Sequence, residues 1–235
     1  MQPLPVERRD DMLSAKLLDF LFENRLNDSK EWFNEHKEDY KEYVEKPVRE
    51  LAETLLPVIT GIDSKIDKMH VSRIYRDARF CKGKSIFREN MWCSYSRVKD
   101  LYKSLPAFYF DISANGFEYG CGFYAASTEC MNALREMILS DSPLFTEAEE
   151  VFRKQRTFEL YGDKFKRERY PEESEEKRDW LSRKTVGLFA HTTDWELIFS
   201  DKLAAKVARD FKKIAPVYRF ILQAGEIGAA KAEEK

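Results

Sequence analysis

The stretch that most restricts the fold lies at the middle of the chain, where two aromatic runs, residues 108–114 and 117–124, flank Asn115-Gly116. Asn-Gly accepts the left-handed dihedrals of a two-residue hairpin turn, and runs rich in Phe and Tyr favour the half-buried surface of a strand. The sequence therefore predicts a central antiparallel hairpin. Gly120 and Gly122 fall on one face of its second strand. They imply a bulge or a close approach, by another backbone first and by a ligand second.

Helical patterns flank this hairpin. Residues 14–24 carry Leu17, Leu18, Leu21 and Phe22 on one stripe, and Asp28 with Glu31 resembles a capping box. From Trp32 and Phe33 to Val58 apolar residues recur at helical spacing, with Pro47 expected to split or kink the run. The aromatic part of this stripe is read as core. Residues 69–80 alternate like a strand, while 91–105 read as a loop with one short helix. Further on, Ser127 or Thr128 and Ser142-Pro143 start helices, 157–160 suit a short strand, and 163–179 suit an exposed loop or solvated helix. Residues 186–191 read as a buried strand, and Thr193 with Glu196 opens helical pattern as far as Ala215-Pro216. The expected class is α+β: a single domain over residues 12–223, an antiparallel sheet with the central Asn-Gly hairpin packed by N-terminal and C-terminal helices, a loose arm before it and a disordered tail over 224–235.

Just before the hairpin, residues 73–88 hold six basic side chains and one acid, in a chain whose formal net charge is −2. This island is electropositive within a mildly acidic protein. The near balance of Lys+Arg 40 and Asp+Glu 42 argues against a dedicated nucleic-acid binder. Cysteines at 81, 93, 121 and 130 show no zinc-type spacing, so no metal is expected and reduced thiols point to the cytoplasm. No apolar run is long enough to cross a membrane. His36, His70 and His191 are scattered, and neither H-E-x-x-H nor G-x-S-x-G occurs.

Residues 78–85, A-R-F-C-K-G-K-S, fit a relaxed phosphate-loop pattern, and residues 107–111 imitate the apolar run ending in Asp that accompanies it. The match fails physically. Arg79, Phe80 and Cys81 occupy positions where small residues must let backbone amides close on phosphate, and the preceding strand is too polar for a buried parallel sheet. Cys81, beside basic residues, is a minor candidate for a lowered thiol pKa.

Residues 27–40, N-D-S-K-E-W-F-N-E-H-K-E-D-Y, then Pro47, then R-D-A-R-F-C-K-G-K-S-I-F, then G-C-G-F-Y ahead of a helix, resemble a widespread family of conserved hypothetical proteins classed as a domain of unknown function. The resemblance runs from about residue 14 to about 222. Its hallmark is R-D-x-R-F-x-K-x-K, usually with Thr after the Asp and Pro after the Lys-Ser or Lys-Thr pair; Ala78 and Ile86 depart from it. Losing that Thr removes a possible hydrogen bond, and losing that Pro loosens the turn after Lys84. The resemblance implies one intact domain and supplies no activity, cofactor or catalytic residue.

Arginine offers paired planar donors that match carboxylate or phosphate. The expected anion site is therefore Arg76, Arg79, Lys82 and Lys84, with Arg73, Arg88 and Lys184 in support and Asp77 as an ionised charge partner. Whether the chain is an enzyme stays open, as does its oligomeric state; no cofactor is implied. Two other readings stand beside a phosphorylated or carboxylated small molecule. One is an interaction module docking an acidic partner or a nucleic-acid backbone. The other is a purely structural Arg-Asp network, with Glu31, Glu35 or Asp111 as partners.

Overall fold

A computed structural model describes residues 13–77, 85–97, 105–167 and 169–234. The central hairpin is present, β3 (Ala107–Ser113) with β4 (Gly116–Gly122), but its turn is Ala114 and Asn115, and Ser113 faces Gly116. The positive φ falls on Gly116, at 129°, rather than on Asn115. The turn thus sits one residue earlier than Asn-Gly implies.

The remaining described strands are β1 (Lys68–Val71), β2 (Asn90–Ser96), β5 (Glu159–Tyr161) and β6 (Gly187–Thr192). All six form one antiparallel sheet in the order β1-β2-β3-β4-β6-β5. β2 corrects the expectation of a loop over residues 91–96, while the rest of that expectation, with its short helix, falls mostly on 98–104, outside the described residues. Met91, Cys93 and Tyr95 are fully buried and alternate with half-buried Asn90, Trp92, Ser94 and Ser96, a period of two hidden by the polar alternate positions. The antiparallel sheet also excludes the parallel architecture of a phosphate-loop fold.

In the N-terminal half, α1 (Ala15–Asn27) buries Leu17, Phe20, Leu21 and Asn24, whereas Phe22 is 67% exposed. Next come α2 (Lys30–Glu35), α3 (Lys37–Tyr40) and α4 (Lys46–Ile62), with a π-helical turn at Lys41–Glu45. Pro47 lies in the first turn of α4, where its missing N–H costs little; the irregularity expected of it is taken up by the wider turn just ahead. Ser29, not Asp28, caps α2 by accepting from the Trp32 amide.

Ser127 and Ser142 cap α5 (Thr128–Leu139) and α6 (Pro143–Lys154). Out of the charged 163–179 stretch comes α7 (Glu175–Leu181), which buries Trp180. Asp194 rather than Thr193 caps α8 (Trp195–Ile198); α9 (Lys202–Lys213) and α10 (Ala215–Glu233) complete the chain. The predicted disordered tail is therefore helix. Gly228 packs so closely on Cys130 of α5 that a Cβ there would sit 2.4 Å from its backbone, and Glu226 and Lys231 pair with Arg97 and Glu136. The expected loose arm lies almost wholly outside the described residues.

α4, α9 and α10 cover one face of the sheet. The Tyr95 hydroxyl donates to Ala52 O at 2.9 Å, Phe108 packs on Phe211 and Tyr218, and the Tyr119 hydroxyl donates to Asp210 at 2.7 Å. At one edge of this core Arg97 grips Asp63 at the end of α4 with two hydrogen bonds, 2.8 and 2.9 Å, and the Tyr218 hydroxyl adds a third at 2.7 Å. Burial works to raise the Asp63 pKa, but the Arg97 and Tyr218 hydrogen bonds outweigh it and hold the carboxyl below its ordinary value. Its stabilising contribution is intact at neutral pH and is lost as pH falls through that lowered value.

The glycines on β4 serve packing. A Cβ on Gly120 would meet Leu188 O at 1.9 Å, and one on Gly122 would meet Gly187 Cα at 2.3 Å. Gly120→Ala should cost about 3 kcal/mol from overpacking, and Arg97→Ala about 3–5 kcal/mol by stranding Asp63. Both appear as lowered urea midpoints at pH 7, and a midpoint unchanged in either variant contradicts the packing described.

Candidate functional site

Beyond β1 the chain does not run on as the strand expected over 69–80. Ser72 bonds to Trp92 twice, its amide donating to the Trp92 carbonyl at 2.8 Å and its hydroxyl accepting from the Trp92 amide at 3.0 Å. A small hairpin follows. Tyr75 bridges Phe87, the Arg76 amide donates to Ile86 O at 2.9 Å, and the Arg88 amide donates to Ile74 O at 2.8 Å. Ile74 and Phe87 are buried, and Phe87 packs against Phe33 and Tyr75. These two arms flank the hallmark loop. Arg79, Lys82, Lys84 and Cys81 lie outside the described residues.

Two ties fasten the far arm to α1. Asp28, in the left-handed conformation that ends α1 (φ 43°), accepts from the Ser85 hydroxyl at 2.5 Å and the Ile86 amide at 3.0 Å. Glu89 accepts from both Arg25 of α1 and Arg76. Arg76 also donates from Nε to Phe87 O at 2.8 Å. Its guanidinium therefore helps to hold the hairpin, with Glu89, an acid not singled out in the sequence, as a carboxylate partner.

The other predicted residues divide. Arg73 and Asp77 are exposed. Lys184 precedes β6 at the Gly187 end, whereas Arg88 precedes β2 at the Asn90 end; the register Gly187↔Gly122↔Ala107 against Asn90↔Ser113↔Gly116 sets these at opposite ends of the strands. Lys184 therefore lies at the other end of the sheet from Arg88. Arg88 is half-buried, and its Nε is buried without a hydrogen-bond partner among the described residues. Its charge reaches His70, where burial first and then Lys68, Arg73 and Arg88 lower the imidazole pKa. Arg73 and Arg88 thus act on one point at the edge of the sheet.

The sheet face opposite α4, α9 and α10 carries a row absent from the sequence reading as a unit. Across four strands Trp92, Asp111, Glu118 and His191 stand directly opposite one another. Asn90 Nδ2 donates to Asp111, and the Tyr109 hydroxyl donates to Glu118 at 2.8 Å. Burial pushes the Asp111 carboxyl up to about 6, with Glu118 adding to the rise while Asn90 and Arg88 oppose it. Once β2 and β3 are paired in register, alternation alone places Trp92 and Asp111 together; misreading β2 hid them.

Little other chemistry competes. Cys93, Cys121 and Cys130 are buried and form no disulfide, and burial pushes the Cys93 thiol up to about 12. No group of three or more His, Cys, Asp or Glu suited to a metal occurs among the described residues, and no helix described is long and apolar enough to cross a membrane. A hollow of about 790 Å³ opens beside α6 and α7, lined by Phe152, Arg153, Arg156, Asp179 and Trp180 among others, and its lining does not include the hallmark hairpin.

The site makes a stability prediction with a definite sign. A carboxyl whose folded pKa is raised contributes most below the unfolded value and loses that contribution as pH rises through about 6. Asp111→Asn should therefore raise Tm at pH 8 and leave it nearly unchanged at pH 4; equal shifts at both pH values would refute the raised pKa.

A search of curated proteins finds no match. A family model described as conserved hypothetical protein DUF2461 matches residues 16–220, which span the hallmark hairpin, the row on the sheet and most of the helical cover. The chain belongs to the DUF2461 family of conserved hypothetical proteins.

Proposed function

We propose that the chain binds a phosphorylated or carboxylated small molecule at the base of the hallmark hairpin, with Arg88 as the anchoring group. The observation that carries this reading is the Arg88 guanidinium, whose buried Nε has no hydrogen-bond partner among the described residues. A buried polar donor left unmet costs about 1–3 kcal/mol, and an oxyanion is the natural complement to a planar guanidinium fork. Arg73 acts with it on His70, and Arg79, Lys82 and Lys84 belong to the segment between the two arms. Arg76 moves from ligand contact to support, since Glu89 and Phe87 O already occupy it.

Internal pairing with Glu89 accounts for Arg76 but leaves the Arg88 Nε unmet among the described residues. The formal charge of −2 continues to argue against nucleic acid. A cytoplasmic setting is part of the same proposal, supported by three buried cysteines that form no disulfide.

The test is titration of the intact chain with phosphate, sulfate and small carboxylates, followed by thermal shift and by NMR. Saturable binding at millimolar concentrations or below is expected. Arg88→Ala should weaken it at least tenfold, from the roughly 1.5–3 kcal/mol of a hydrogen bond to a charged group. Arg76→Ala should lower Tm more than affinity. Absence of any response in the unaltered chain, or equal binding by Arg88→Ala, overturns the proposal.

A further inference from the structure

We infer that the Arg88 site takes up an oxyanion together with one proton, which resides on the Asp111 carboxyl and lets that carboxyl donate a hydrogen bond toward the ligand. This rests on the reading of Arg88 as the anchor. It adds a second binding group and makes affinity depend on pH.

The argument is geometric first. Asp111 on β3 stands directly opposite Glu118 on β4, on the same face of the sheet, and opposed cross-strand residues hold their Cβ atoms about 5 Å apart. Two carboxylates so placed normally recruit a cation between them. Here each is met by a neutral donor instead, Asp111 by the Asn90 amide and Glu118 by the Tyr109 hydroxyl. Neither donor cancels charge, so the pair keeps its mutual repulsion. The adjoining elements do not cancel it either. From β2 comes the indole of Trp92; from β6 comes His191, whose Nε2 lies 2.9 Å from Asn115 O; and from β1 comes His70, packed on Trp92 with ring centroids 5.2 Å apart. Arg88 lies two residues ahead of Asn90, whose amide holds Asp111, and its charge opposes the rise of the Asp111 pKa.

An anion seated on Arg88 changes that balance. It offsets the field by which Arg88 favours ionised Asp111, and it adds negative charge to a face that already holds Glu118. Protonated Asp111 avoids both penalties and supplies a donor, as a neutral carboxylic acid can when its surroundings disfavour the anion. The direction agrees with the raised pKa of Asp111. The proton comes from solvent, and no bond in the ligand is made or broken.

Sulfate is the probe, because its charge is constant from pH 5 to 8. Its dissociation constant, followed by NMR on the intact chain, should be nearly flat below about pH 6 and weaken about tenfold per pH unit above, as the competent protonated fraction falls. Asp111→Asn, permanently neutral, should bind sulfate with little pH dependence. Glu118→Gln should move the onset of weakening to lower pH. Sulfate binding that is flat with pH in the unaltered chain, or an undiminished slope in Asp111→Asn, overturns the proton coupling and leaves the Arg88 anchor standing. Absence of sulfate binding at every pH, or unchanged binding by Arg88→Ala, removes the anchor and the coupling with it.

Discussion

The organising constraint is that the sheet buries its two faces unequally. Phe108, Phe110, Phe117, Tyr95 and Tyr119 point into the space filled by α4, α9 and α10, where burial of aromatic area supplies the main driving force for folding. The alternate residues of the same strands, Trp92, Asp111, Glu118 and Tyr109, are left half-buried on the other side. An antiparallel sheet permits this division because hairpin connections need not cross its faces. The polar row is the reverse of the core, fixed by the same register.

Seen this way, the polar groups fall into two kinds. The Asp63–Arg97–Tyr218 cluster and the Tyr119–Asp210–Lys206 cluster lie on the helix side, with every charge met at hydrogen-bond distance. They pin α4, α9 and α10 to the strands. On the other side the carboxylates are met by neutral donors and the nearest guanidinium keeps an unmet Nε. Closed networks hold structure, whereas incomplete ones retain capacity for a visitor.

Much of the architecture was legible from local signals. The aromatic hairpin, the serine caps at 127 and 142, and the short strand near 159 each rest on chemistry within a few residues. The failures came where distant residues decide. Residues 90–96 read as a loop because their outward positions are Asn, Trp and Ser, and only pairing with β3 reveals the alternation. Residues 224–233 read as a frayed tail because Ala, Glu and Lys carry little apolar signal, yet Gly228 and Glu226 dock on α5 and on Arg97. For the site, the basic island was visible, but which arginine is spent internally depended on Glu89, thirteen residues from Arg76 across the hairpin.

Arg88 and Glu89 are adjacent, yet they act on different groups. Glu89 turns toward α1 and is shared by Arg25 and Arg76, while Arg88 acts by its charge on Asp111 and His70. A bend at Glu89 lies between Arg88, whose amide pairs with Ile74, and β2, which begins at Asn90. Position along this arm, rather than any excess of positive charge, decides which group is quenched by α1. An insertion or deletion of one residue between Ser85 and Asn90 would break the Ile74 pairing and the Glu89 tie together, so the spacing of this arm carries as much meaning as its composition.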